Sequence, residues 1–143
     1  MPTLCDTLAT HDRVDVIIKR LADIKRTEST LAAERMSLLA ELSSIRPADP
    51  EITLMRDGQL SRREARDTVN RHSTIDTAPV FGDALSTGDI SVAHIDGLSR
   101  AFKIVGDQPD ALIERLPSLI NAATHMNADD FDRHVKNTAK ALV

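Results

Sequence analysis

The sequence predicts an all-α protein: a long, coiled-coil-like amino-terminal helix followed by a compact bundle of about four or five short helices. Three observations predict it. From about residue 11 to residue 45 there is neither proline nor glycine, and Val14, Ile17, Leu21, Ile24, Glu28, Leu31, Arg35, Leu38, Leu42 and Ile45 step alternately by three and four, the spacing of a heptad seam. The rest of the chain breaks into short apolar stripes at helical spacing, separated by residues that start and stop helices. Aromatics are only 2%, with neither Trp nor Tyr, so the core must come from Leu, Ile, Val and Ala, which suits helix packing better than sheet packing. No strand pattern, internal repeat or low-complexity tract interrupts this reading.

Residues 1–10 are expected to form a flexible tail and residues 11–46 the long helix. About 35 residues at about 1.5 Å each would extend about 50 Å, further than a compact domain of this size can cover. Part of the seam is therefore expected to meet another chain or a returning helix. Glu28 and Arg35 stand where apolar side chains are expected, and polar seam residues can set the register of a dimer at some cost in stability. In the alternative, Ala32, Met36 and Leu39 carry the contact locally and the stripe drifts around a 3.6-residue helix. The homodimer reading places Val14, Ile17, Leu21, Ile24, Leu31, Leu38, Leu42 and Ile45 in the interface.

"RPADPE", with two prolines, ends the long helix, and residues 47–59 are read as a linker. The bundle spans residues 60–143. Ser61 and Glu64 form an S-x-x-E capping box with Leu60 just outside it, opening a helix that runs to about His72. A short helix over residues 78–87 starts with Pro79 in its first turn and stops at Gly88. Ser91 caps the next, whose face carries Val92, Ile95, Leu98, Phe102 and Val105 and which ends at Gly106. Gly97 within it marks a close approach by a neighbouring helix. Leu112, Ile113, Leu116, Leu119 and Ile120 add apolar supply around Pro117. A last helix starts near Asn127 and turns Phe131, Val135, Thr138, Ala139 and Leu142 inward.

With 143 residues, 41% hydrophobic and 28% charged, the chain suits one ordinary folded domain. Cys5 is the sole cysteine, which excludes an internal disulfide and a cysteine-based zinc site and fits a reducing cytoplasm. No apolar run approaches the roughly 20 residues that span a bilayer, and the beginning lacks the order of a secretory signal, so no membrane partner is expected.

The net charge of −4 conceals an imbalance: residues 1–55 hold seven basic and nine acidic side chains, residues 56–72 five and three, and residues 73–143 six and ten, giving −2, +2 and −4. The basic segment is the helix beginning at Ser61. At about 100° per residue, Arg62, Arg66, Asn70 and Arg63 fall at about 0°, 40°, 80° and 100°, while Ala65, Thr68, Val69 and His72 make a narrow, weakly apolar stripe on another side. Small inward residues allow close packing, and long donors point out. Arg and Asn make paired hydrogen bonds to guanine and adenine edges, and Arg neutralises phosphates. A capped helix with such a face can act as the reader of a helix-turn-helix. Arg62, Arg63, Arg66 and Asn70 are the candidate duplex-DNA contacts, with Arg71 and Arg56 on phosphates. Glu64, Asp67 and Asp57 lie close by, and a solvated face with local ion pairs is the competing reading.

Other chemistry is scarcer. His11, His72, His94, His125 and His134 show no metal-binding spacing, and His94, three residues after Ser91, reads as a first-turn residue bonded to the cap. No Gly-rich phosphate loop is present. Asp129, Asp130 and Asp132 read as acids at a helix start. No nucleophile has a base beside it. Neither catalytic residues, nor a cofactor, nor a small-molecule substrate is expected.

The succession "LSRREARDTVNRHSTIDTAPVFGDALSTGDISVAHIDGLSRA" resembles the actinobacterial family known as domain of unknown function 222, the region ahead of HNH endonuclease domains. The family pattern has a Ser or Thr helix start with an Glu-Ala-Arg-like helix, matched by Ser61, Glu64, Ala65 and Arg66. A "P-x-x-x-x-A-L" helix follows, matched by Pro79, Ala84 and Leu85. Then come a Gly, an acidic residue and "I-S-x-x-H", matched by Gly88, Asp89, Ile90, Ser91 and His94. The same arrangement is similar, more faintly, to the helix-turn-helix of ParB-like partition proteins. The likeness covers roughly residues 58–143, and no HNH motif or Cys-x-x-Cys accompanies it. It therefore implies an accessory or targeting domain of an HNH-associated protein, and carries no catalysis over. Three readings follow: a dimeric DNA-binding module, a coiled-coil interaction or oligomerisation scaffold without nucleic-acid binding, and the leading part of an HNH endonuclease.

Overall fold

Helix α1 (Leu4–Ile45) is 42 residues long, about 63 Å at about 1.5 Å per residue. The structure is a computed structural model that describes residues 4–45 and 49–143, with side chains from residue 9 onward. α1 opens earlier than the expected boundary at residue 11. Residues 4–10 hold no proline or glycine, so once nucleated the helix propagates through them. The remaining tail residues, 1–3, and the expected proline break at residues 46–48 lie outside the described residues.

Seven further helices follow: α2 (Pro50–Arg56), α3 (Arg62–Thr77), α4 (Pro79–Thr87), α5 (Val92–Val105), α6 (Pro109–Ile113), α7 (Leu116–His125) and α8 (Ala128–Ala141). Among the described residues all regular structure is helical, so the all-α architecture of one long helix and a compact bundle holds. The bundle has more helices than the four or five expected, because α2 and α6 are single turns or little more. The expected linker contains α2: the Asp49 side chain accepts the backbone N–H groups of Glu51 at 2.9 Å and Ile52 at 3.4 Å, and Pro50 occupies the first turn, where its missing N–H costs nothing. α3 runs a turn and more beyond His72, to Thr77, and ends at Ala78 ahead of Pro79, as the restriction on a residue before proline requires.

The main core gathers Phe81 and Leu85 from α4, Ile95, Leu98, Ala101 and Val105 from α5, Leu112, Leu116 and Leu119, and Phe131, Val135 and Ala139 from α8. α5 and α8 form its closest pair. A Cβ on Gly97 would stand 3.4 Å from the Asp132 Cα and 3.3 Å from its Oδ1, so the glycine lets the two backbones approach. Phe81 and Phe131 meet with ring centroids 6.0 Å apart, tilted by 40°. A second, smaller core joins Leu39 of α1, Leu54 of α2 and Ala65 of α3.

α1 thus touches both cores, through a stripe of Ser29, Ala32, Ala33, Met36, Leu39 and Ala40. Thr30 donates from Oγ1 to the Ser86 carbonyl at 3.2 Å, tying the same stretch to the end of α4. There Gly88 takes φ 81°, a left-handed conformation natural to glycine. Met36 and Leu39 carry the contact within the chain, as the alternative reading of the seam proposed. The heptad residues are a different face. At about 100° per residue, Ile17, Ile24, Leu31, Leu38 and Leu42 centre roughly 130° around the helix from Met36, and all eight seam residues are 38–74% exposed. The chain's own bundle leaves that face uncovered.

Candidate nucleic-acid interface

Ser61 has extended backbone (φ −64°, ψ 161°), and its Oγ accepts the Glu64 N–H at 3.2 Å. One side of the expected capping box is therefore present, which orients the first turn of α3. Ala65 is fully buried in the small core and Thr68 is buried beside it. The Thr68 hydroxyl, which would otherwise be unpaired inside, donates to the Glu64 carbonyl at 2.8 Å. Val69 and His72 are half-buried on the same side. With small side chains inward, the opposite arc of α3 is turned to solvent: Arg62, Arg63, Arg66 and Asn70 are exposed.

α2 stands just ahead of this helix. Its chain reverses over residues 57–61, where the Gly58 N–H donates to the Thr53 carbonyl at 3.3 Å and the Leu60 N–H to the Leu54 carbonyl at 3.0 Å. Gln59 adopts φ 57°, an uncommon region for a residue with a side chain. Arg56 closes α2 and is exposed. A helix, a tight reversal and the arginine-bearing helix therefore follow one another, with α2 in the position that the sequence reading left as linker.

Among the described residues, no ion pair or side-chain hydrogen bond engages Arg56, Arg62, Arg63 or Arg66. Arg71 differs, and the expectation that it reaches a phosphate is corrected. Its Nε donates to Asp96 Oδ1 at 2.8 Å and its Nη2 to Asp96 Oδ2 at 2.9 Å. The forked bond to Asp96 raises the Arg71 pKa, burial opposes the rise, and the Asp96 and Asp67 charges reinforce it. Arg71 is an internal strut from α3 to α5. No local pattern announced it, because its partner lies 25 residues away.

The Ser91–His94 corner is the other polar construction. The Ser91 N–H donates to His94 Nδ1 at 3.1 Å, the Ser91 Oγ lies 3.0 Å from the same nitrogen, and His94 Nε2 lies 2.9 Å from the Met126 carbonyl. A carbonyl can only accept, so Nε2 carries the proton and Nδ1 accepts. His94 is buried, with Phe131 at 5.6 Å between ring centroids. It joins the start of α5 to the end of α7 as a cap residue.

No group of three or more His, Cys, Asp or Glu gathers as metal ligands among the described residues, and no described helix is long and apolar enough to cross a membrane. Compared with protein-family models, curated proteins and solved structures, the chain gives no match.

Proposed function

We propose that this chain is a non-catalytic DNA-binding or targeting domain that docks duplex DNA on the outer face of α3. Arg62, Arg63, Arg66 and Asn70 are the contacts to the groove and Arg56 a contact to the phosphate backbone. The observation that carries the reading is that three arginines share an exposed arc of one serine-started helix and have no carboxylate partner among the described residues, although the chain is acidic. Arg71 with Asp96, and Arg100 and Lys136 with Asp132, show that this chain pairs its arginines and lysines where structure needs them. Long cations left free next to Glu64 and Asp67 are available to an external polyanion. The resemblance to the region ahead of HNH nucleases supports the same role, as an accessory to a nuclease activity carried elsewhere. The test is fluorescence anisotropy with a labelled duplex: the Arg62→Ala/Arg66→Ala variant should bind at least tenfold more weakly. Equal affinity in that variant would remove the assignment.

A second reading is favoured by the uncovered seam of α1. In it the chain is a self-associating or protein-binding scaffold and the arginines are solvated. The two readings share a homodimer through α1, and the anisotropy experiment separates them.

A further inference from the structure

We infer that α1 pairs with α1 of a second copy in antiparallel orientation, the amino-terminal half of each lying in the groove between α1 and α2 of the other. The inference rests on the homodimer reading and adds its geometry.

The two halves of α1 are unlike. From residue 9 to residue 28 every residue is exposed. Val14, Ile17, Ile18 and Leu21 are 44–60% exposed, so an apolar helix projects with nothing of its own chain against that face. The other half, with α2, walls a groove of about 530 Å³ lined by Leu31, Leu38, Leu42 and Leu54 and rimmed by Glu34 and Arg35. A projecting apolar helix and an apolar groove on the same molecule satisfy each other only if the two copies run in opposite directions. A parallel pair would set projection against projection and groove against groove.

Charge selects the same orientation. In a parallel seam Glu28 faces the partner's Glu28 and Arg35 faces the partner's Arg35. The flanking positions would bring Arg20 against the partner's Lys25, so the two polar seam layers and this flanking pair are all like-charge contacts. Running antiparallel about the middle of the seam, Val14 stacks on the partner's Ile45, Ile17 on the partner's Leu42 and Leu21 on the partner's Leu38. With about 1.5 Å per residue, Glu28 then comes within about 6 Å along the axis of the partner's Arg35, and Arg20 within about 3 Å of the partner's Glu41. Each of these opposite-charge contacts occurs twice by symmetry. Glu28 is free to turn outward, since its one ion pair, with Lys25, is long at 4.0 Å and exposed.

The register also accounts for Ile18, which lies off the seam on the side where Leu39 meets α2. Antiparallel pairing brings the partner's Ile18 to the level of Leu39, beside Leu54. It sets both copies of α3 on one side of the paired helices, with the two Leu39 positions about 29 Å apart along the axis, of the order of one turn of duplex DNA.

The experiment places single cysteines at Leu21 and Leu38, both exposed in the single chain, in a background with Cys5→Ser. Sedimentation should give twice the chain mass. Under mild oxidation Leu21→Cys alone and Leu38→Cys alone should stay uncross-linked, whereas the two variants co-expressed should yield a disulfide-linked pair. Glu28→Arg should weaken association at least tenfold, and Glu28→Arg/Arg35→Glu should restore it. Cross-linking of each single variant to itself would overturn the antiparallel orientation and leave the dimer standing. A dimer in which neither the single variants nor the mixture cross-links would overturn this register. A single-chain mass at all concentrations would overturn the dimer itself.

Discussion

Arg71 and Asp96 join α3 to α5 through a two-pronged pair, Nε to Oδ1 at 2.8 Å and Nη2 to Oδ2 at 2.9 Å. The side chains are only 22% and 32% exposed, so the pair is sheltered enough to hold the arginine helix at a set angle on the bundle. Arg62, Arg63 and Arg66 of the same helix have no such partner among the described residues.

Removing either partner leaves a half-buried charge without its bond. Arg71→Ala should lower stability by about 1.5–3 kcal/mol, the range for hydrogen bonds to charged groups. Arg71→Lys should recover only part, since an ammonium cannot make the fork. By contrast Arg62→Ala/Arg66→Ala, exposed and unpaired, should stay within about 0.5 kcal/mol of the parent. Thermal or urea unfolding of the three variants checks the division between anchor and free face.

Nitrogen chemical shifts should find His94 Nε2 protonated towards the Met126 carbonyl and Nδ1 accepting from the Ser91 N–H. His94→Ala would strip the buried Ser91 N–H and Met126 carbonyl of their partner and open space against Phe131. At about 1–3 kcal/mol for each of these two unsatisfied groups, a loss of about 2–6 kcal/mol is expected in denaturant unfolding.

Gly97→Ala weighs two effects. Alanine gains about 1 kcal/mol of helix propensity, but its Cβ would stand 3.4 Å from the Asp132 Cα. Asp132 is tied down by Arg100 at 2.9 Å and Lys136 at 3.3 Å, so α8 cannot easily yield. The packing cost should outweigh the propensity gain, and the variant should melt lower than the parent.

For the Asp132 carboxyl, burial works to raise the pKa, but the bonds and charges of Arg100 and Lys136 together outweigh it and hold the value below the ordinary one. A carboxylate depressed in the folded state stabilises the fold above its unfolded pKa, and this contribution is lost as pH falls through the folded value. Asp132→Asn should therefore melt lower than the parent at neutral pH, and the gap should close as pH drops below the ordinary carboxylate range. Melting curves across pH 2–7, a span chosen around the usual aspartate value of about 3.9, check the sign.

Much of the architecture was legible because its signals are local. Pro79 with Gly88, Ser91 with Gly106, and Asn127 mark helix ends through backbone geometry that a few residues decide, and those ends stand where the sequence placed them. The outward arc of Arg62, Arg66 and Asn70 also followed from helical period alone. α2 was missed because seven residues between two prolines and a glycine give too short a window for periodicity. The Arg71–Asp96 pair depends on how α5 crosses α3, which no local pattern encodes. On α1 the period was legible, but it belongs to two faces: Met36 and Leu39 serve the chain's own cores, and Leu31 and Leu38 do not.

The most direct measurement of the central claim, that the free arginine face of α3 docks a polyanion, is the slope of log affinity against log salt for a short duplex. Each phosphate neutralised contributes about 0.9 to that slope. The account predicts a steep negative slope for the parent, shallower by about 1 in Arg56→Ala, the phosphate contact, while Arg62→Ala/Arg66→Ala weakens binding at every salt concentration. A parent whose duplex affinity does not change with salt, or an Arg62→Ala/Arg66→Ala variant of unchanged affinity, would contradict it.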